Sequence, residues 1–204
     1  VDAFGKIDGV IHCAGLIRDS FVIGKTNINF KDVLAPKVLG TFWLDQALAP
    51  YEIDFFMAFS SVSSVYGNIG QSDYCFANSF MDSFVRYRNA IGRSGRSISI
   101  NWPLLKDGNM GVSKDRENII GNMGLVPMDG NEVVKVVEKA LKLNMENLMV
   151  LYGRKSAIEK SIQYQESRLM DQDVNTSQSG GSEQLYRIKA EAFLKSVISK
   201  EVKL

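Results

Sequence analysis

Ser61 and Tyr74 lie thirteen residues apart, Asn78 follows Tyr74 by four, and Lys37 stands well upstream. Three of them fall in FFMAFSSVSSVYGNIGQSDYCFANSF (55–80), which reads as a buried strand, a polar glycine-containing loop and a helix. A serine at the carboxyl end of a strand, a tyrosine on the next helix and a nearby lysine suit the reduction of a carbonyl. The serine holds the substrate oxygen and the tyrosine donates a proton to it. Tyrosine alone is a poor acid at pH 7, with an ordinary pKa of about 10. A neighbouring cation favours the phenolate and lowers that value, and Lys37 is the obvious cation. Each residue alone has a plainer explanation: a serine-rich loop, a packed tyrosine, a lysine that snorkels to water. The chemistry is carried by the set.

The elements that must position this set can be read from the hydrophobic pattern. IDGVIH (7–12), IDFFMAF (53–59), SISIN (97–101) and NLMVLYG (147–153) read as buried strands. Residues 29–48 carry a helical stripe of Phe30, Val33, Leu34, Thr41, Leu44 and Leu48. Lys37 falls inside that stripe, and Pro36 is expected to kink or interrupt the helix just before it. SFMDSFVRYRNAI (79–91) continues the helix of Tyr74 and Asn78, and GRSGR (92–96) ends it. WPLLKDGNMG (102–111) reads as a loop, 114–124 as a short helix and NEVVKVVEKALKL (131–143) as a clearer one. Strands alternating with helices indicate an α/β fold, a Rossmann-like doubly wound parallel sheet. Such sheets place their ligand crevice at the carboxyl ends of the strands, where Ser61 lies. Tyr74 and Asn78, one helical turn apart, share a face.

Composition narrows the alternatives. Of 204 residues 45% are apolar, enough for one good-sized core, and Lys+Arg 24 against Asp+Glu 23 gives no electrostatic case for nucleic acid or a membrane surface. No apolar run approaches the roughly 18 residues of a membrane span. Cys13 and Cys75 are far apart, and the single histidine, His12, argues against a zinc site. A reducing, cytoplasmic setting fits. Residues 1–160 read as the catalytic part, 161–183 as a flexible linker and 184–204 as an amphipathic helix with Ala190, Phe193, Leu194, Val197 and Ile198 on one side.

IDGVIHCAGLIRDSF, VLAPKVLGTFWLD, DFFMAFSSVSSVYGNIGQSDYCFANSFMD and SISINWPLLKDGNM resemble the ketoreductase domain of modular polyketide synthases, over roughly residues 1–153. The likeness is strongest to bacterial synthases served by acyltransferases acting in trans. Ordinary short-chain dehydrogenases usually carry lysine four residues after the catalytic tyrosine and asparagine on the preceding helix. Here Asn78 and Lys37 are exchanged, as in synthase ketoreductases. The resemblance implies an NADPH-dependent reduction of a β-ketoacyl thioester tethered to an acyl carrier protein. It implies Tyr74 as proton donor, Ser61 as the carbonyl hydrogen-bond donor, Lys37 as tuner of Tyr74 and ligand of the nicotinamide ribose, and Asn78 as organiser of the proton relay. His12, Cys13, Ala14 and Gly15 match the family segment that runs past the cofactor, and Asn101, Trp102, Pro103 and Leu104 match the loop beside the nicotinamide. His12 is then a backbone-geometry position, not a base, and Cys75 is filler. Met110, Met123 and Met128 line either a mobile lid or plain core.

Nothing in the chain resembles GxGxxG, the phosphate-cradling turn of a dinucleotide-binding half. The expectation is therefore a truncated fold that lacks its N-terminal strands, with the missing half a partner and the chain alone inactive, its first strand left as an open edge. SEQLYRIKAEAFLKSVISKEVKL resembles the first helix of an acyl carrier domain. Ile17-Arg18-Asp19 stands where B-type members of the family have LDD, and Tyr66 where A-type members have tryptophan, which implies a D-configured β-hydroxyl product. Two other readings stay open: a free-standing dehydrogenase for a small ketone or alcohol, and a non-catalytic structural piece of a megasynthase.

Overall fold

The four apolar runs pair as parallel strands in a computed structural model, which describes residues 5–106, 124–160 and 163. The strands β1 (Gly9–His12), β2 (Phe55–Ser61), β3 (Arg96–Trp102) and β4 (Asn147–Met149) lie side by side in chain order. Val10 stands opposite Phe56, Met57 opposite Ile98, and Ile100 opposite Leu148. Because strand side chains alternate, each run supplies both faces. Phe56 and Ala58 pack with Leu48, Met81 and Val85 on one side, while Met57, Ile98, Ile100 and Trp102 pack with Met128 and Ala140 on the other. Helices therefore cover both faces. The first face takes α2 (Gly40–Leu48) and α4 (Ser72–Ala90), and the second takes α5 (Gly130–Lys142).

The stretch before α2 is one long helical run. Thr26 caps α1 (Asn27–Leu34) through its hydroxyl oxygen, which accepts from the Asn29 N–H at 3.1 Å. Pro36 has no N–H to continue the ladder, and its ring crowds the preceding turn. The chain answers with a π turn over Ala35–Leu39, closed by the Gly40 N–H reaching back to the Ala35 carbonyl. The interruption expected at Pro36 is thus a widened turn, and the helix runs on through it.

At the far end of α4 the N–H groups of Gly92 and Arg93 bond the carbonyls of Asn89 and Arg88 at 3.1 and 3.2 Å. That pattern needs a left-handed residue, and Gly92 (φ +67°) supplies it, so GRSGR ends the helix as expected. Arg88 is buried in this region. Its Nε donates to Asp45 Oδ1 on α2 at 2.7 Å, and its Nη1 to Ser97 Oγ on β3 at 2.8 Å.

The structure differs from the pattern reading in two places, and it settles Met128 as core. The loop after β2 contains a short helix, α3 (Ser63–Tyr66). The fourth strand stops at Met149, because the chain turns away to bridge Gly153 with Leu125 in the antiparallel sense. Met128 sits in the core between the sheet and α5. The helix expected at 114–124 lies, apart from Gly124, outside the described residues, as do Met110, Met123 and the amphipathic helix 184–204. The chain divides into two units: Val1–Arg154, which holds every element above, and Lys155–Leu204, of which 155–160 are helical.

Candidate active site

The π turn aims Lys37 inward, and only 3% of the residue is exposed. Its Nζ donates to the Phe59 carbonyl near the end of β2 at 2.8 Å and lies 3.5 Å from Met81 Sδ. The same ammonium is 5.7 Å from the centroid of the Tyr74 ring. Burial lowers the Lys37 pKa from 10.5 to about 8, with Cys13 and Asp82 pulling it back up. A lysine held this way is a weakened cation close to a phenol.

Tyr74 lies in the first turn of α4 and is buried. One turn on, Asn78 is fully buried; its Nδ2 donates to the Tyr74 carbonyl at 2.7 Å, while its Oδ1 has no hydrogen-bond partner. An orphaned buried acceptor of this kind calls for a donor from water or ligand. Ser61 ends β2. Its Oγ accepts from both the N–H and the hydroxyl of Ser63, at 3.2 and 3.0 Å. A hydroxyl has two acceptor lone pairs and one proton. With both lone pairs filled, Ser61 has its proton left to give. Ser61 and the Phe59 carbonyl that accepts from Lys37 thus both lie at the carboxyl end of β2, and the Tyr74 ring lies 5.7 Å from that ammonium.

A match to the KR domain family spans residues 1–107. The chain belongs to the KR domain family of polyketide synthases. It is 42% identical over 164 residues to polyketide synthase PksN of Bacillus subtilis, which covers 78% of this chain and 3% of that synthase. Among solved structures it is similar to a ketoreductase domain from the bacillaene assembly line, with TM-score 0.74 and 38% identity. That alignment covers 78% of this chain and 40% of the solved one. An N-terminal ketoreductase from the macrolactin assembly line aligns with TM-score 0.70 and 38% identity, over 78% of this chain and 31% of its own. The four-stranded parallel sheet is thus part of a Rossmann-like KR fold.

The other residues singled out in this KR sequence fall into two groups. His12 is buried at the end of β1, and burial foremost, then Lys37, lowers its pKa. The Pro36 backbone works against that shift, and Nε2 has no hydrogen-bond partner. Cys13, Ala14 and Gly15 leave the sheet exposed. A Cβ on Gly15 would come 3.0 Å from Lys37 Cε, so glycine lets this loop lie against the lysine stem. Asn101 turns the other way. It is fully buried, with Nδ2 within reach of Ser61 O (3.3 Å), Ser64 Oγ (2.5 Å) and Asp82 Oδ2 (2.7 Å), and so it braces the strand end from beneath. Trp102 packs on Phe59 with ring centroids 4.9 Å apart; Pro103 is buried, and Leu104 is partly exposed. Burial pushes the Cys75 thiol up, away from nucleophilic use.

Sequence reasoning passed over Ser63, Asp82 and the Lys25–Asp73 pair. Asp82 is buried, accepts from Ser64 Oγ at 2.7 Å, and keeps Oδ1 without a partner. One signal was available: Asp82 lies four residues after Asn78, on the same helical face. Ser63 and Lys25 carried none.

Proposed function

We propose that this site reduces a β-ketoacyl thioester, tethered to an acyl carrier protein, to the β-hydroxyacyl thioester within a modular polyketide synthase of the trans-acyltransferase kind. The observation that carries the reading is the buried Lys37 ammonium 5.7 Å from the Tyr74 ring, held by the Phe59 carbonyl of the strand that Ser61 ends. NADPH, when bound, supplies the hydride. The residues present suit a nicotinamide nucleotide: an exposed Cys13–Gly15 backbone packed on the Lys37 stem, and an orphaned Asn78 acceptor one turn from Tyr74. Lys37, Tyr74 and the His12–Gly15 segment would hold its ribose and nicotinamide end, with Leu104 at the margin.

Ser61 Oγ–H bonds the substrate carbonyl oxygen and fixes its position. Tyr74 gives its phenolic proton to that oxygen as negative charge develops there. Lys37 stabilises the tyrosinate that remains. Asn78 Oδ1 holds the donor through which Tyr74 regains a proton. Residues 1–160 form the catalytic part in this reading, 161–183 a linker and 184–204 a helix of acyl carrier type. Among the described residues no helix is long and apolar enough to cross a membrane.

The product is assigned the D configuration. Asp19 Oδ1 accepts from Gln71 Nε2 at 2.9 Å, which sets the Ile17–Asp19 segment beside the start of α4. The test is to supply the full-length protein with NADPH and a β-ketoacyl thioester and resolve the product by chiral chromatography. Consumption of NADPH with mainly D-hydroxyl product is expected. Mainly L product refutes the stereochemical assignment, and no NADPH-dependent reduction refutes the function.

A further inference from the structure

We propose that the buried Lys25–Asp73 ion pair is a positioning device for Tyr74, clamping the segment after β1 onto the first turn of α4. This rests on the reading of Tyr74 as the acid, and it extends that reading to two residues that touch no substrate.

The segment from Cys13 to Thr26 has no regular structure apart from a 3-10 turn at Val22–Gly24. Apolar burial does not hold its outer part, since Phe21, Val22 and Ile23 are 70%, 69% and 101% exposed. Polar links do. The Ser20 N–H donates to the Gly70 carbonyl at 3.0 Å, and Gln71 donates to Asp19. Lys25 Nζ donates to the Arg18 carbonyl at 2.6 Å and to Asp73 Oδ2 at 2.7 Å. The Lys25 and Asp73 side chains are 4% and 1% exposed, so this pair is largely removed from water.

The second oxygen of Asp73 makes the connection to chemistry. Asp73 Oδ1 accepts from the Tyr74 N–H at 2.9 Å. First-turn N–H groups have no partner within a helix. Gln71, at the N-cap, makes no side-chain cap, and so Asp73 takes over part of that work. Its charge also suits the positive end of the helix dipole. One carboxylate thus holds the backbone of the proposed acid with one oxygen and the β1 segment with the other. Two charges lose their hydration here, and a hydrophobic pair in such a place is often as stable. What an ion pair adds is a fixed direction. Small displacements of a reacting group carry large rate penalties, which gives that direction its value.

Three variants of the full-length protein test this, each read by steady-state ketoreduction and by amide hydrogen exchange. Lys25→Met should lower kcat about tenfold or more while KM stays within about threefold. Lys25→Arg should retain most of the rate. Lys25→Met with Asp73→Asn leaves no unpaired charge, keeps an acceptor for the Tyr74 N–H, and serves if the single variant fails to fold; it should lose kcat in the same way. In both losing variants the Ser20 and Tyr74 amides should exchange about tenfold faster. A folded Lys25→Met or double variant with kcat within twofold of the parent overturns the proposal, as does a Lys25→Arg variant as impaired as Lys25→Met. Should the parent protein reduce no thioester, the proposed function fails, and unchanged exchange at Ser20 and Tyr74 would still sink the clamp on its own.

Discussion

Lys37 shows how one residue can cost stability and still be kept. Its pKa of about 8 in the folded chain lies below the ordinary 10.5, so the unfolded chain binds its proton more tightly. Folding therefore carries a penalty that is fully present below pH 8 and fades as pH rises to about 10.5. Lys37→Met should stabilise the protein by about 3 kcal/mol at pH 7 in urea titrations, with the gain vanishing above about pH 10.5. The same variant should lose most of its ketoreductase rate. If Lys37 tunes Tyr74 as proposed, kcat of the parent should fall along an alkaline limb near pH 8, where Lys37 gives up its charge. Ser63 offers a second residue-scale check. Ser63→Ala removes one of the two bonds that fill the Ser61 lone pairs, and a bond of about 1 kcal/mol corresponds to about fivefold in kcat/KM. Undiminished kcat/KM would show that Ser61 needs no such help. The lysine was legible, because a charge inside an apolar stripe is conspicuous. Ser63 was not, because its partner is set by how the chain turns after β2.

At the scale of elements, β2 was legible because a strand covered on both faces is a continuous apolar run, here Phe55–Phe59, and β3 because Ile98 and Ile100 alternate with small serines. The end of α4 was legible because glycine marks it. The π turn was half legible: Pro36 announces a disturbance, yet a widened turn and a break look alike in one dimension. The brace between α2, α4 and β3 was invisible. Asp45, Arg88 and Ser97 are 43 and 9 residues apart, and only the folded sheet brings them together. Its energetics give a clear expectation. Asp45→Ala leaves the Arg88 guanidinium buried without its carboxylate, which typically costs about 3–5 kcal/mol. The urea midpoint should drop accordingly, while protein that remains folded keeps its rate. A midpoint shift worth less than about 1 kcal/mol would mean that Arg88 finds water or another partner.

Across the whole molecule, the sheet order follows the chain, and β1 is paired on one side by β2 among the described residues. The β1 loop, the end of β2 and the start of α4 all reach the π turn through Lys37: a Cβ on Gly15 would meet its stem, the Phe59 carbonyl accepts from its ammonium, and the Tyr74 ring lies 5.7 Å from it. The chain spans 40% of the solved bacillaene relative. The sequence motifs could name Ser61, Tyr74, Asn78 and Lys37 together, but the links among them depend on the fold. The central claim is that Tyr74 is the acid at this meeting point, and Tyr74→Phe in the full-length protein tests it most directly. The ring and its packing survive, and only the hydroxyl is lost. Turnover of a β-ketoacyl thioester should fall by about 10²–10⁴-fold while NADPH binding, followed by fluorescence titration, is retained. A variant that keeps more than half the parent turnover would contradict the account.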